Sequence, residues 1–241
     1  MSQPDYRRIL LKISGEALAG EKGHGIDPQI AGRMAAEIAA VAKTGVQVGL
    51  VIGGGNFLRG VSAAELGMER VSADHMGMLA TIINGLAMQQ AIEQEAVSVR
   101  LMSAIAMPEV CEHLVVRRAV HHLEKNRLVI FCGGTGNPYF STDTAAVLRA
   151  LEIEADVIIK GTKVDGVFSA DPVVARSAQL DRHLSYSEVV ARKLNVMDFT
   201  AVTLCMENDL PLRVFNMSSS GNLQRLIQGE HIGTTISGEE A

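Results

Sequence analysis

Four glycine-rich segments, each following an apolar run, are the parts of this chain whose residue types and spacing could do chemistry. They are residues 12–15, 53–56, 133–137 and 160–163. A glycine-rich turn leaves backbone N–H groups open to an anion because no Cβ blocks close approach. A helix that follows such a turn adds the positive end of its dipole. Several such turns around one sheet predict a site for several phosphates, so phosphoryl transfer is the first hypothesis.

Two basic side chains accompany these segments. Lys12 ends the first apolar run, where its ammonium group could lie near transferring phosphates as a point charge. Arg59 follows the second segment and could contact a phosphate oxygen. Each could instead be an ordinary solvated side chain, Lys12 at a strand end and Arg59 on the surface. The sequence leaves both interpretations open for each residue.

Two aspartates are further candidates. Asp74 is expected in the first turn of a helix after Ser72, where it either favours the helix dipole or accepts hydrogen bonds from a sugar hydroxyl. Asp143 is expected in the first turn of a helix capped by Ser141 or Thr142. There it either serves the cap or orients a lysine.

The commonest nucleotide-binding motifs are excluded as written. Residues 15–20 have the glycine spacing of a P-loop, but Glu21 stands where that motif has lysine. Leu58 occupies the position of the third glycine of a dinucleotide-binding fingerprint. The glycine loop of protein kinases, with its HRD and DFG partners, is absent as well. Any phosphate site is therefore of another type.

Composition narrows the functional class. The chain has 241 residues, 47% of them hydrophobic, with a formal net charge of -5. This acidic balance gives no general attraction to nucleic acid or to an anionic membrane, and neither is expected as a partner. The three cysteines form no CxxC pair, and Cys132 and Cys205 are expected in the core. No apolar run has the length of a secretion signal or a membrane span, so a cytoplasmic location is expected.

Apolar runs alternate with helical patterns, which predicts a doubly wound α/β fold in one domain spanning residues 1–241. The predicted strands are residues 9–11, 46–52, 97–102, 128–132, 157–159 and 212–215. The predicted helices begin after Asp27-Pro28 and after Ser72, and others cover residues 114–125, 144–151, 186–194 and 201–208. The second helix carries Met76, Leu79, Ile83 and Leu86 on one side. Ligands of such sheets bind beyond the carboxyl ends of the strands, where the glycine segments fall.

A series of motifs in one order resembles a known family. The motifs are LLKISGEAL, VIGGGNFLRG, DHMGMLAT, TGNPYFSTD, KVDGVFSADP and RVFNM. They resemble the bacterial uridylate kinases, which belong to the amino acid kinase superfamily, and the likeness runs from Tyr6 to about Ser237. Because so many motifs occur in register, the resemblance is highly specific.

The resemblance implies a three-layer αβα sandwich around a mainly parallel sheet, assembled as a homohexamer. It implies transfer of the γ-phosphoryl group of ATP to UMP with Mg²⁺, in pyrimidine nucleotide biosynthesis, with UMP held by the N-terminal lobe and ATP by the C-terminal lobe. GTP as an activator and UTP as an inhibitor are further possible partners.

The resemblance also assigns roles to residues. The catalytic group would be Lys12, Arg59, Asp143 and Asp198. ATP would contact Lys12, Ile13, Ser14, Gly15, Gly55, Arg59, Thr162, Phe168 and Asp171. UMP would contact Gly54, Asp74, Thr135, Gly136, Asn137, Pro138, Tyr139, Phe140, Ser141 and Thr142. The segment linked to GTP would be Gly20, Glu21, Lys22, Gly23, His24 and Gly25. No side chain is assigned as a metal ligand, because phosphates can supply most ligands of Mg²⁺.

Two other functions stay open from the residues alone. The same fold could phosphorylate a carboxylate such as acetylglutamate, aspartate or glutamate, or carbamate, which would call for arginine or amide groups in place of the nucleotide segment at 135–142. A nucleotide sensor without enzymatic activity is a different class, and Lys12, Asp143 and the phosphate loops speak against it. The choice of uracil over cytosine rests on the resemblance.

Overall fold

The computed structural model describes residues 4–58, 67–169 and 178–238. Within these residues the strands are β1 (Arg8–Ile13), β2 (Gln47–Ile52), β3 (Val99–Ser103), β4 (Glu112–His113), β5 (Leu128–Cys132), β6 (Val157–Thr162), β7 (Val167–Phe168), β8 (Leu180–Asp181), β9 (His183–Ser185), β10 (Leu212–Asn216) and β11 (Thr234–Ser237). The α-helices are α1 (Pro28–Ala42), α2 (Arg70–Gln94), α3 (Val116–Glu124), α4 (Thr142–Glu152), α5 (Tyr186–Ala191), α6 (Phe199–Glu207) and α7 (Asn222–Ile227). Two short 3-10 turns, Gly15–Leu18 and Gly20–Lys22, follow β1.

Nine of these strands form one sheet in the order β4-β3-β5-β2-β1-β6-β10-β11-β9. Strands β4 to β10 in this order run parallel, and β11 is antiparallel to β10. Strand β1 lies in the middle, between β2 and β6. The carboxyl ends of the central strands therefore open at one edge, which brings the glycine segments after β1, β2, β5 and β6 together.

The sheet separates two apolar cores. Alternate residues of β1 face opposite sides: Ile9, Leu11 and Ile13 belong to the core under α1, α2 and α7, and Leu10 to the core under α3, α4, α5 and α6. All six residues of β1 are buried, as expected for a parallel strand covered on both faces. The expected three-layer αβα sandwich with a mainly parallel sheet is confirmed.

Two helices begin where the sequence predicts. Asp27 caps α1, accepting hydrogen bonds from the backbone N–H groups of Gln29 (2.9 Å) and Ile30 (3.3 Å), and Pro28 occupies the first turn. Ser141 caps α4 in the same way, which places Asp143 in the first turn of that helix. Cys132 and Cys205 are buried as expected, and burial raises the pKa of the Cys205 thiol to about 12.

The prediction for the start of α2 was wrong. The helix begins at Arg70, not after Ser72, so Asp74 lies beyond the first turn and is not an N-terminal dipole partner. Met76, Leu79, Ile83 and Leu86 lie on one side, as predicted, and this side faces away from the core, since the four residues are 40 to 48% exposed. The buried side is made of smaller and mixed residues: Ala73, Met78, Ala80, Thr81, Ile82, Asn84, Gly85, Met88 and Ile92.

The small residues of α2 let it approach the sheet closely. A Cβ at Gly85 would lie 2.4 Å from Sγ of Cys132 and 2.7 Å from Cδ1 of Leu101. Such distances are far below van der Waals contact, so the glycine sets the distance between this helix and the sheet. Several other element ends differ from the prediction by one to three residues, and the short strands β4, β7, β8, β9 and β11 and helix α7 are not among the elements predicted from the apolar and helical patterns.

We expect Gly85→Ala to lower the free energy of unfolding by about 1–3 kcal/mol, because the added methyl group overpacks this contact. Gly32→Ala is the matched control, since Gly32 is exposed within α1 and a Cβ there would meet nothing within 4 Å. In Gly32→Ala the free energy of unfolding should rise by up to about 1 kcal/mol, because alanine has a higher helix propensity than glycine. Urea unfolding of both variants measures the difference, and a stabilised Gly85→Ala protein would contradict the packing argument.

Candidate active site

Two lysines lie side by side at the centre of the sheet. Lys12 on β1 and Lys160 on β6 are direct partners in the parallel register. Both side chains are on the face covered by α4, because Leu10 and Ile158, two residues earlier on each strand, belong to that core. Lys12 is only 6% exposed. The fold thus holds two ammonium groups close together with little solvent around them.

Asp143 bridges the two lysines. Nζ of Lys12 is 2.5 Å from Oδ1 of Asp143, and Nζ of Lys160 donates to Oδ2 at 2.8 Å and to the carbonyl of Val196 at 2.5 Å. The N-cap Ser141 orients the start of the helix by accepting from the backbone N–H groups of Asp143 (2.9 Å) and Thr144 (3.2 Å). We call Lys12, Asp143 and Lys160 the charge cluster.

Burial and charge act against each other in the charge cluster. Burial acts to raise the pKa of Asp143, but the charges and hydrogen bonds of Lys12 and Lys160 outweigh it, and the pKa lies below its usual value. Burial lowers the pKa of Lys160; the Asp143 carboxylate opposes this change, and the charge of Lys12 adds to it. Asp143 is thus the carboxylate that contacts both cations, and the charge of Asp198 acts on Lys160 as well.

Asp198 supports the start of α4 from a neighbouring helix. It caps α6 by accepting from the backbone N–H of Ala201 at 3.0 Å. Its carboxylate also accepts from Oγ1 of Thr144 at 3.0 Å and from Oγ of Ser141. The side chain therefore holds the helix that carries Asp143, and its negative charge also acts to raise the pKa of Lys160.

A first cleft of about 610 Å³ opens beside the charge cluster. Seven residues predicted to bind the acceptor line it: Gly54, Asp74, Thr135, Tyr139, Phe140, Ser141 and Thr142. Three other residues predicted to bind the acceptor, Gly136, Asn137 and Pro138, do not line this cleft. Gly55 does line it, although it was predicted to bind ATP. Arg70, Thr144 and Asp198 also line it.

A second cavity of about 500 Å³ has Lys160 on its wall. Lys160, Thr162 and Phe168 line it, together with residues of the 193–196 segment. The 12–15 segment does not line this cavity: Ile13 is buried in the core. Arg59 and Asp171 lie outside the described residues. The charge cluster thus borders both openings, because Thr142 and Thr144, which flank Asp143, line the first and Lys160 lines the second.

Protein packing requires two of the glycines, Gly54 in the 53–55 segment and Gly15 in the 12–15 segment. A Cβ on Gly54 would lie 2.6 Å from the carbonyl oxygen of Gly77 in α2, and one on Gly15 would lie 2.2 Å from that of Gly53. The N–H of Gly53 donates to the carbonyl of Ile13 at 2.9 Å, so it is not free for a phosphate. The contact of Gly54 with the acceptor stays a prediction, since both Gly54 and Gly55 line the first cleft.

A buried amide pair fixes this loop, and the sequence analysis missed it. Asn56 and Asn84 donate to each other's side-chain oxygens at 2.9 and 2.8 Å. Their remaining N–H groups donate to the carbonyls of Gly25 and Gly53, both at 2.7 Å. The pair thus ties the loop after β2 to α2 and to the end of the 20–25 segment. An asparagine among the apolar residues of α2 was the available signal.

Within the described ranges, no group of three or more histidine, cysteine, aspartate or glutamate side chains could hold a metal ion. The same residues include no helix long and apolar enough to cross a membrane.

Comparison with known proteins identifies the family. The profile of the amino acid kinase family matches residues 7–216. The chain belongs to this family. It is therefore a phosphotransferase, and the charge cluster and the two openings form the natural candidate for its active site.

Individual relatives agree with the resemblance found in the motifs. The chain is 55% identical to the uridylate kinase of Methylococcus capsulatus over 236 residues, covering 98% of this chain and 99% of that protein. It is 56% identical to the uridylate kinase of Pseudoalteromonas translucida over 237 residues, covering 98% and 95%. The crystal structure of UMP kinase from Bacillus anthracis superposes with a TM-score of 0.95 at 40% identity, covering 98% and 97% of the two chains. The resemblance to the uridylate kinases is confirmed.

We expect Asp143→Asn to lower the free energy of unfolding at pH 7 by about 3 kcal/mol, because two buried ammonium groups lose their counter-charge. The pKa of Asp143 is depressed in the folded protein, so its stabilising contribution is present above the unfolded pKa and is lost as the pH falls through the folded value. The difference between the two proteins should therefore shrink below about pH 4.

Urea unfolding at pH 7 and at pH 3.5 measures this difference, and Asp165→Asn, at an exposed aspartate, is the matched control. A difference that stays constant between the two pH values would show that the ion pairs do not provide the stability.

Proposed function

We propose that this protein transfers the γ-phosphoryl group of ATP to UMP, giving UDP and ADP, in pyrimidine nucleotide biosynthesis. The observation that carries the proposal is the charge cluster, which borders two openings of nucleotide size. The relatives of this protein include proteins named uridylate kinase, which match it over nearly their whole length. The two observations are independent, since one is local geometry and the other is sequence similarity.

The two openings divide between the substrates. UMP occupies the first cleft, in the N-terminal half, with Asp74 accepting from the sugar and residues 135–142 surrounding the base. ATP occupies the second cavity, in the C-terminal half, with Thr162 and Phe168 on its wall. The phosphates of both would then meet at the charge cluster, as an in-line transfer requires.

The reaction needs charge neutralisation more than proton transfer. An oxygen of the UMP phosphate attacks the γ-phosphorus of ATP, and the bond from that phosphorus to the β-phosphate oxygen breaks. The attacking oxygen is already anionic, so no general base is needed. Lys12, with Arg59, would offset the charge on the transferring group, and Lys160 is placed to assist. Asp143 would hold the lysines, and Asp198 would hold the helix that carries Asp143.

Mg²⁺ fits this site as a companion of ATP. The described residues offer no cage of three protein ligands, and phosphate oxygens can provide most of the coordination of this ion. When bound, it would supply further positive charge to the phosphate oxygens.

Regulation by GTP and UTP belongs to the same proposal. The 20–25 segment is positioned to report on the loop after β2, because the N–H of Gly25 donates to the carbonyl of Asn56 at 2.9 Å and the Asn56 side chain returns a hydrogen bond. GTP bound at this segment would thereby affect the loop after β2, which borders the first cleft. UTP would compete with UMP for the first cleft, because it is an analogue of the acceptor. The cytoplasmic location stays a prediction.

We expect UMP to be the preferred acceptor when ADP release is measured with UMP, CMP, AMP and acetylglutamate, with and without GTP and UTP. Lys12→Ala should lower kcat with UMP by about 100-fold or more while changing KM much less, because its charge acts in the transition state. Lys43→Ala, at an exposed lysine after α1, is the matched control.

Faster turnover of CMP, AMP or acetylglutamate would overturn the substrate assignment. An unchanged kcat in Lys12→Ala would remove this lysine from the transition state. Circular dichroism of the variant separates loss of chemistry from loss of the fold.

We also propose that the chain assembles as a homohexamer, using the exposed stripe of α2. Met76, Leu79, Ile83 and Leu86 follow a spacing of three, four and three residues, which is the seam that packs one helix against another. A two-fold contact between copies would pair this stripe with itself. Covering it removes four large apolar side chains from water.

We expect Ile83→Asp to lower the oligomer mass in light scattering after gel filtration, because a charge would be buried at each two-fold contact. Ala36→Asp, at an exposed position of α1, is the matched control and should keep the wild-type mass. A wild-type protein that is monomeric, or an Ile83→Asp variant of unchanged mass, would contradict this interface.

A further inference from the structure

Three residues on the wall of the first cleft form a closed set of contacts. Nε of Arg70 donates to Oδ1 and Oδ2 of Asp74 at 3.0 and 2.8 Å. The backbone N–H of Tyr139 donates to Oδ2 of the same carboxylate at 2.7 Å. The guanidinium carbon of Arg70 also lies 5.3 Å from the centroid of the Tyr139 ring. Together these contacts join the start of α2 to the loop after β5.

The backbone of Tyr139 is in an uncommon conformation. Its φ is +71°, in the left-handed region that residues with a side chain rarely adopt. Such conformations persist where surrounding contacts impose them, and they concentrate at ligand-binding clamps. Here the imposing contacts are the hydrogen bond to Asp74 and the position of the ring beside Arg70.

The charge of Arg70 matters for what the cleft can hold. An isolated Asp74 carboxylate would repel a nucleotide phosphate entering the same cleft. Arg70 offsets that charge, and it does so with a single N–H shared between the two oxygens. A carboxylate has about four lone-pair positions, so Asp74 keeps capacity to accept from a sugar hydroxyl.

We propose that Arg70 is a positioning residue for the acceptor nucleotide. It fixes the Asp74 carboxylate in the orientation that receives the sugar, and by stacking on Tyr139 it fixes the wall of the cleft beside the base. We call this set of three residues the acceptor latch. The inference rests on the proposed function, since it assumes that the first cleft holds UMP.

Stability and binding should respond differently to loss of the latch. The Arg70 side chain is 60% exposed, and exposed ion pairs four residues apart on a helix contribute little to stability. A merely structural role would therefore leave UMP binding unchanged. A positioning role would weaken UMP binding while leaving ATP unaffected.

The test is UMP binding by calorimetry without ATP, together with KM for UMP and for ATP. In Arg70→Gln we expect the Kd and KM for UMP to rise about tenfold, with KM for ATP within about twofold of wild type. Arg70→Lys should not restore binding, because an ammonium group lacks the planar fork and the stacking surface. Arg225→Gln, which breaks an exposed ion pair with Glu230, is the matched control and should leave every constant unchanged.

Tyr139→Gly tests the second contact, since it removes the ring and relieves the backbone. This variant should also weaken UMP binding. The double variant with Arg70→Gln should lose less binding free energy for UMP than the sum of the two single losses, because both changes break the same set of contacts. Unchanged UMP binding in Arg70→Gln, or an equal rise in KM for ATP, would overturn this inference alone. A wild-type protein that binds no UMP would overturn the proposed function and the inference with it.

Discussion

Two buried lysines on neighbouring strands are the constraint on which the rest of the site depends. Adjacent strands are only about 4.8 Å apart, so the register that pairs Lys12 with Lys160 brings two like charges together in a region of low dielectric. A carboxylate must lie between them, and Asp143 can do so only if α4 begins at Thr142 above this face. The cap at Ser141 and the contacts of Asp198 with Ser141 and Thr144 are consequences of that requirement.

The same arrangement explains how an acidic chain can attract anions. The net charge of -5 gives no long-range attraction for nucleotides, so the attraction has to be local. The positive charge available for this attraction is that of Lys12 and Lys160, which share the Asp143 carboxylate at the edge of the sheet. Oxygens of the nucleotide phosphates could accept from these ammonium groups in place of Asp143 without any large movement of the backbone. Asp143 thus stabilises the pair of lysines, and the weaker influence of Asp198 reaches Lys160 from a neighbouring helix.

The sequence predicts the parts of this fold that local rules control. The apolar runs locate the six main strands, and Asp27-Pro28 and Ser141 locate the starts of α1 and α4. The failures come from long-range pairing. The periodicity of α2 identified an apolar side but did not indicate which part of the protein packs against it. The opposite side, with Gly85 and small alanines, packs against the sheet. The pairing of Lys160 with Lys12 depends on β6 lying beside β1, and the Asn56–Asn84 contact depends on α2 crossing the loop after β2.

The glycine segments show that one residue type can serve two purposes at the same place. A missing Cβ permits both the approach of a phosphate and the approach of another backbone, and sequence alone does not separate the two. Gly15 and Gly54 are needed because loops after β1 and β2 pack against each other and against α2. This packing also brings the ends of those strands together beside the first cleft. The glycines therefore act on function indirectly: they let the chain close around the charge cluster, and the side chains of Lys12 and Lys160 supply the positive charge that the backbone of Gly53 does not.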